Sequence, residues 1–442
     1  YNSNATGNNI AIGQCAGQAL TTGVNNTIIG QLPGGAACVC TLLLGAGTCE
    51  RIRVDNTGLY VNGTVFTGGG ATLDSYCNFK VGTGAGAALT TGYGNIAIGY
   101  CSLYATTTGY NNIAQGYKAL ALNTTSYGNI AQGYKALYCN TTSVNNIAIG
   151  SYALMNSNAS QPNIAVGASA LYCNTIGCLN TAIGRTSLRY NTSGNNNVAI
   201  GDSALYYNTT GNSNTAVGGY AGQGVTTGTN NTLIGKSAGS NSNTMTNATA
   251  VGYAAGSNIS TGAESITMGH YSGYSARTAT NATILGSYAG YSATNATNAI
   301  LVGYQAGYNA NTSSNATIIG YNAGYNATNS DSTTIIGNSA GYNAATSTNA
   351  TMVGNNAGRY TTNASNSTFI GTNADGISGS ASITGSIAIG YQAGYTWQGG
   401  FSIAIGEYAG MTNQASDNVA IGDTAGSYYQ GSYAVAIGVW SG

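Results

Sequence analysis

The sequence predicts an all-β protein built as a parallel β-solenoid, or β-roll, and three observations carry that prediction. Glycines recur at a fixed spacing of 17 residues over most of the chain. The segments that end on those glycines are short and rich in β-branched residues, as in GYQAGYNANTSSNATIIG at residues 303–320. Only 5% of the 442 residues are charged, while 43% are hydrophobic and 68 are glycine, a composition unlike that of an ordinary enzyme but sufficient to close a core.

With the glycine of each Ile-Gly type pair as position zero, the series runs from Gly82 through Gly99 and Gly116 to Gly371 in steps of 17, without an insertion. Gly13 and Gly30 keep the same spacing; after Gly371 one step of 19 is followed by steps of 16 through Gly390, Gly406, Gly422 and Gly438. A fixed period of this kind sets the fold before any local motif does. Glycines at zero and +4 oppose a helix, each interior glycine costing about 1 kcal/mol. The expected turn is a strand of about five residues ending at zero, a glycine corner, a second short strand through +3 and a polar return loop. Turns stacked about 4.8 Å apart line up equivalent side chains, and ladders of Asn, Thr and Tyr suit that geometry where like charges would repel.

Position −1 is Val, Ile, Leu or Met except at Gln115 and Gln132, which predicts a core position. Position +3 is Ala or Ser throughout the uniform run; this suits either an axis where chains approach closely or a tight corner inside one chain. Position +4 is Leu from Leu103 to Leu205 and Gly from Gly222 to Gly358. The expected organisation is therefore solenoid turns at 1–30, a small Cys-containing β insertion at 31–81, 17-residue turns at 82–375 that change type near residue 210, and 16-residue turns at 376–442. Within the insertion, RIRVDNTGLYVNGTVF reads as two strands about an Asp55–Gly58 turn, and six of the twenty charges fall there (Glu50, Arg51, Arg53, Asp55, Asp74, Lys80).

The repeat unit, NNIAQGYKAL at residues 111–120 followed by NTTSVNNIAIG at 140–150, resembles the head repeats of trimeric autotransporter adhesins. It is also similar to the arrays of phage-type tail-fibre proteins that precede an intramolecular chaperone domain. The resemblance covers residues 1–30 and 82–442. It implies a left-handed roll, three chains side by side with the small +3 residues at their axis, an extracellular, cell-surface or virion-surface location, and a chaperone removed after assembly. Tyr1 and Gly442 also keep one frame, Gly442 standing at +4 and Tyr1 at the equivalent of +5, so head-to-tail stacking into a filament is a further expectation.

All nine cysteines lie at or before Cys178. Disulfides are expected among Cys38, Cys40, Cys49 and Cys77 in an exported protein, and Cys173 and Cys178 share one turn and could pair. Cys139 and Cys173 stand two turns apart, about 9.6 Å, beyond disulfide reach. The Cys38–Cys40 spacing does not suit zinc and the single histidine, His270, is remote, so neither metal nor cofactor is expected. The ten acidic residues are scattered without a Ser or His partner, and no catalytic site is expected.

Asn-x-Ser/Thr acceptor sites fall between +6 and +12, at Asn123, Asn140, Asn191, Asn208, Asn247, Asn281, Asn295, Asn315, Asn326, Asn349 and Asn366. Tyrosines recur at +1 and +5, and Tyr274, Tyr291, Tyr308, Tyr325 and Tyr342 form a stripe that either grips glycans or a hydrophobic surface, or simply packs against its neighbours. Ten basic and ten acidic residues balance, giving no footprint for nucleic acid, and no apolar run reaches the roughly 18 residues of a membrane span. An ice-binding face would need a regular Thr-x-Thr array that the threonines do not supply. The function expected from sequence is thus a rigid extracellular or virion-surface fibre whose partner is itself, as homotrimer or filament; the alternative is an adhesin or tail fibre that binds a receptor or cell-surface glycans.

Overall fold

The computed structural model describes residues 72–159, 161–260, 262–375 and 383–442, together with the strands Ile10–Ile12, Thr27–Gly30, Leu42–Ala46, Cys49–Asp55, Gly58–Val61 and Thr64–Val65. From Phe79–Val81 to Val435–Ile437, 22 strands of three residues stack in parallel, each paired with the strand one repeat on. The chain is a parallel β-solenoid, and no helix occurs among the described residues. Backbone hydrogen bonds run along the stack at several points of every turn: the Ile113 amide donates to the Asn129 carbonyl (2.8 Å), the Gly116 amide to Ile98 (2.8 Å) and the Leu120 amide to Ala136 (2.9 Å). Among the earlier strands, Thr27–Gly30 pairs in parallel with Leu42–Ala46, and Cys49–Asp55 pairs antiparallel with Gly58–Val61 across an Asp55–Gly58 end.

Three local expectations need correction. The strand is three residues long rather than five. The second strand through +3 is absent, because +2 and +4 both take left-handed backbone angles (Lys118 φ 51°, Leu120 φ 52°) and an extended segment cannot pass through them. Position −1 is not core: in a three-residue strand alternate side chains point to opposite faces, so −2 turns inward while −3 and −1 turn outward. Ala148 is accordingly fully buried between Ile147 and Ile149, which are half-exposed.

The glycine at zero is required by close approach. A Cβ on Gly116 would lie 2.8 Å from the carbonyl carbon of Gly133 one turn on, and its φ is 134°. Position +4 differs, since its left-handed backbone is held by leucine in one half of the rod and glycine in the other (Leu154 φ 49°, Gly307 φ 59°).

That exchange is balanced across the core. Where +4 is Leu, from Leu103 to Leu205, position −2 is Ala; where +4 is Gly, −2 is generally larger, as at Leu233, Ile284, Leu301, Ile318, Ile335, Met352 and Phe369. The large −2 side chain occupies the space the +4 leucine vacates: a Cβ on Gly222 would sit 2.7 Å from Cδ1 of Leu233, and one on Gly358 2.9 Å from Cδ2 of Phe369. In the 16-residue turns both positions are small, and buried Gln398 and Gln414 fill the gap from +8. Three side-chain sets thus fill one cross-section at near-constant volume, as close packing demands.

Polar ladders complete the interior. Position −4 is a fully or almost fully buried asparagine in ten successive turns, from Asn78 to Asn231. Each side chain ties two turns together: Asn146 Nδ2 donates to Asn129 Oδ1 (3.1 Å), and Asn146 Oδ1 accepts from the Asn163 amide (2.8 Å). The small +3 residues, such as Ala119, Ala289 and Ala357, are fully buried inside the single chain. They pack the coil's own core and are not available to an axis between chains.

Candidate functional surfaces

The solenoid brings side chains of equivalent position into rows, so a candidate site on this protein is a row or a pair of rows. The longest pair lies on the outer face of the parallel sheet, where positions −3 and −1 of 22 consecutive strands face outward. The two rows are Ile, Val, Thr, Leu and Met apart from Phe79, Gln115 and Gln132, and they carry no charge. Ile266, Met268 and Ile300 are each about 40% exposed (41%, 43% and 41%). A chain that buries alanine inward at −2 while leaving isoleucine outward is unusual for a surface strand of a monomer. The signal in the sequence was the reciprocal change at −2 and +4, which marks −2 as the inward position.

Tyrosines form the second set of rows. Tyr274, Tyr291, Tyr308, Tyr325 and Tyr342 stack ring on ring, with centroid separations of 5.2, 5.0, 4.9 and 5.0 Å and near-parallel planes. These rings are half-buried, and burial, then the neighbouring Tyr325 and Tyr291, raises the Tyr308 hydroxyl above the ordinary phenol range. Arg359 closes the row over Tyr342 at 5.8 Å. At +1, Tyr100, Tyr117 and Tyr134 stack at 5.3 and 5.1 Å, and a third row, Tyr93, Tyr110 and Tyr127, lies at +11. His270 replaces a +1 tyrosine and stacks on Tyr253 at 5.4 Å.

The asparagine acceptor sites separate into two environments. Asn123, Asn140, Asn191 and Asn208, all at +7, are fully buried, and their amide nitrogens bond neighbouring groups inside the coil, as Asn208 does to Asn191 Oδ1 (2.9 Å). Glycosylation expected there is incompatible with the folded rod, since the modified nitrogen has no path to solvent. Asn247, Asn281, Asn315, Asn349 and Asn366 form an exposed row at +12, while Asn295 and Asn326 are half-buried.

Cys173 and Cys178 are not bonded to each other, and the Cys178 thiol lies 3.2 Å from the Ile176 carbonyl oxygen. Burial raises the Cys139 and Cys173 thiols above their ordinary range. Cys77 is an exposed free thiol. Cys38, Cys40 and the side chain of Cys49 lie outside the described residues. No group of three or more His, Cys, Asp or Glu that could hold a metal ion occurs among the described residues. No described helix is long and apolar enough to cross a membrane.

Near residue 423 an open cavity of about 410 Å³ is lined by Glu407, Tyr408, Met411, Asp423, Tyr428 and Trp440. Charge is otherwise sparse: Lys80 bridges Asp74 (2.9 Å), and Arg185 bridges Asp202 one turn on (3.0 Å). Compared with known proteins, the chain matches no family model and no curated protein.

Proposed function

We propose that this chain is a structural protein, a stiff rod that serves as the repeating shaft of an extracellular or virion-surface fibre. The observation that supports this reading is the unbroken axial ladder: parallel strands bond each turn to the next over 22 strands, reinforced by buried asparagines from Asn78 to Asn231 and by stacked tyrosines from Tyr274 to Tyr342. Such a coil resists bending and offers a protease few unpaired backbone segments. At a rise of about 4.8 Å per strand the stack spans about 100 Å. Electron microscopy of the undenatured protein tests the reading: rods of at least that length are expected, and compact globular particles would overturn it.

A second reading, a glycan-binding fibre, draws support from the exposed tyrosines, Tyr304 at 43% and Tyr321 at 52%. Such rings stack against sugar faces in the same way that they stack on one another. Binding to a glycan array that is lost on Tyr321→Ala would favour it; an array without a hit would leave the shaft as the sole role.

A further inference from the structure

Among the described residues, the outward rows at −3 and −1 form an extensive uncharged face of aliphatic and threonine side chains that the fold of this chain leaves partly exposed. They run the length of the stack, about 100 Å, and the two rows stand about 6.6 Å apart within each strand. With side-chain margins the face covers about 1,000 Å² per copy, so covering it with another copy buries about 2,000 Å² in total, above the roughly 1,600 Å² of a standard stable interface. The face bears no charge along either row, so nothing in it opposes contact with itself.

Charge at the edge of this face selects the direction of a partner. Of the bases between residues 75 and 201, Lys80 and Arg185 are bridged to Asp74 and Asp202, which leaves Lys118, Lys135 and Arg189, whereas residues 400–442 contain Glu407, Asp417 and Asp423 and no base. Lys118 and Lys135 stand at +2, and Glu407 and Asp423 at +1, on the corner that follows the zero glycine and borders the face. None of the four has an oppositely charged partner among the described residues. Two copies packed in the same direction would bring like ends together. A two-fold axis lying in the face and perpendicular to the rod reverses direction while keeping each edge on its own side, so the basic corner of one copy runs beside the acidic corner of the other.

We propose that two copies of this chain pair antiparallel through the −3 and −1 rows. Counting turns from Gly82, the third and twenty-first are equidistant from the twelfth, as are the fourth and twentieth. An axis at the twelfth turn, by Gly269, therefore sets Lys118 opposite Asp423 and Lys135 opposite Glu407 in a single register. The proposal rests on the rod reading and names the rod's partner.

The test is sedimentation of the full chain at micromolar concentration, with electron microscopy of the same samples. The wild type is expected to sediment as a dimer and to appear as a rod of double width. Ile319→Lys and Ile336→Lys, on outward positions that need no repacking, are expected to convert it to monomer with rod length unchanged. Lys118→Glu with Lys135→Glu is expected to weaken the dimer at least tenfold, and adding Glu407→Lys with Asp423→Lys to restore it. Monomeric or trimeric wild type, a dimer unmoved by the isoleucine substitutions, or charge reversals that are not rescued by their counterparts would each overturn the pairing. Single rods of full length would then remain as evidence for the shaft, while loss of the rod shape itself would count against the function proposed above.

Discussion

If constant core volume joins the two halves of the rod, the boundary between them can be moved by one turn. At present Leu205 is the last +4 leucine, followed by Ala216 at −2, Gly222 at +4 and Leu233 at −2. Leu205→Gly alone removes a fully buried side chain and leaves a cavity, a loss of about 3–5 kcal/mol. Release of the left-handed strain at φ 50° offsets about 1 kcal/mol of that, leaving about 2–4 kcal/mol. Ala216→Leu alone forces a large group against Leu205 and is expected to cost about 1–3 kcal/mol. Together they recreate, one turn earlier, the arrangement already present at Gly222 and Leu233, where glycine leaves room for the Leu233 Cδ1 atom. The double variant is expected to lie within about 1 kcal/mol of the wild type, a coupling of several kcal/mol. Because a repeat array need not unfold in one step, the assay is hydrogen exchange resolved by mass spectrometry, read as local opening across residues 188–238. Costs that simply add in the double variant would refute the volume argument.

Other parts of the coil give shorter tests. Asn146→Ala leaves the buried Asn163 amide without its acceptor, while Asn129 Oδ1 keeps its bond from the residue 146 backbone amide, and is expected to lower local opening free energy by about 1–3 kcal/mol in the same exchange experiment. Gly320→Ala drives a Cβ into the Gly337 carbonyl at a φ of 137°, and is expected to break protection on both sides of the turn, visible as new proteolytic cleavage near residue 320. At Asp74, burial opposes ionisation, but bonds from Lys80, from Asn78 and from the Tyr76 amide outweigh it and hold the carboxyl at about 2. Because the folded value lies below the ordinary 3.8, the stabilisation is present above about pH 4 and is lost as pH falls toward 2, so exchange at residues 74–95 should rise in that window while residues 283–353 stay protected. Equal response of both segments would refute the assignment.

The fold was legible because one signal repeats many times: a 17-residue glycine spacing leaves few architectures, and the scarcity of charge follows from stacking equivalent residues. The orientation of the strand was harder to read. Isoleucine at −1 looks like core, and alanine at −2 looks neutral, until Ala148 with Leu154 is set beside Leu301 with Gly307. The second strand was misplaced because Lys118 and Leu120 do not advertise left-handed backbone; the later Gly222 to Gly358 series does so at +4, while at +2 the mark is scattered, as at Gly84, Asn322, Asn356 and Asn373. Buried asparagines were equally opaque, since Asn140 in the coil and Asn315 on its surface both stand in acceptor motifs and differ only in their place in the turn.

These orientations bear on how the rod meets its surroundings. A solenoid can bury small side chains and still be stable, since its backbone bonds are supplied by adjacent turns, so the choice of isoleucine and valine for the outward rows is not forced by folding. Threonine at both rows would satisfy the same β geometry and hydrate well. Instead, Thr317, Thr334, Thr351 and Thr368 occupy −3 while Ile319, Ile336, Val353 and Ile370 keep −1 apolar through the same four turns. In the N-terminal half the weight falls on the other row, with Ile113 and Ile130 at −3 beside Gln115 and Gln132 at −1. Reversing one copy against another sets the two ends of each row opposite one another, so a turn polar at −1 meets one apolar at −1. Gln115 of the third turn then faces Ile421, and Gln132 of the fourth faces Ile405, next to the corners where Lys118 and Lys135 meet Asp423 and Glu407. The polar pair, bonded Gln132 Nε2 to Gln115 Oε1 at 3.2 Å, therefore falls at the end of the contact nearest the charged corners, where water has access and a glutamine costs least.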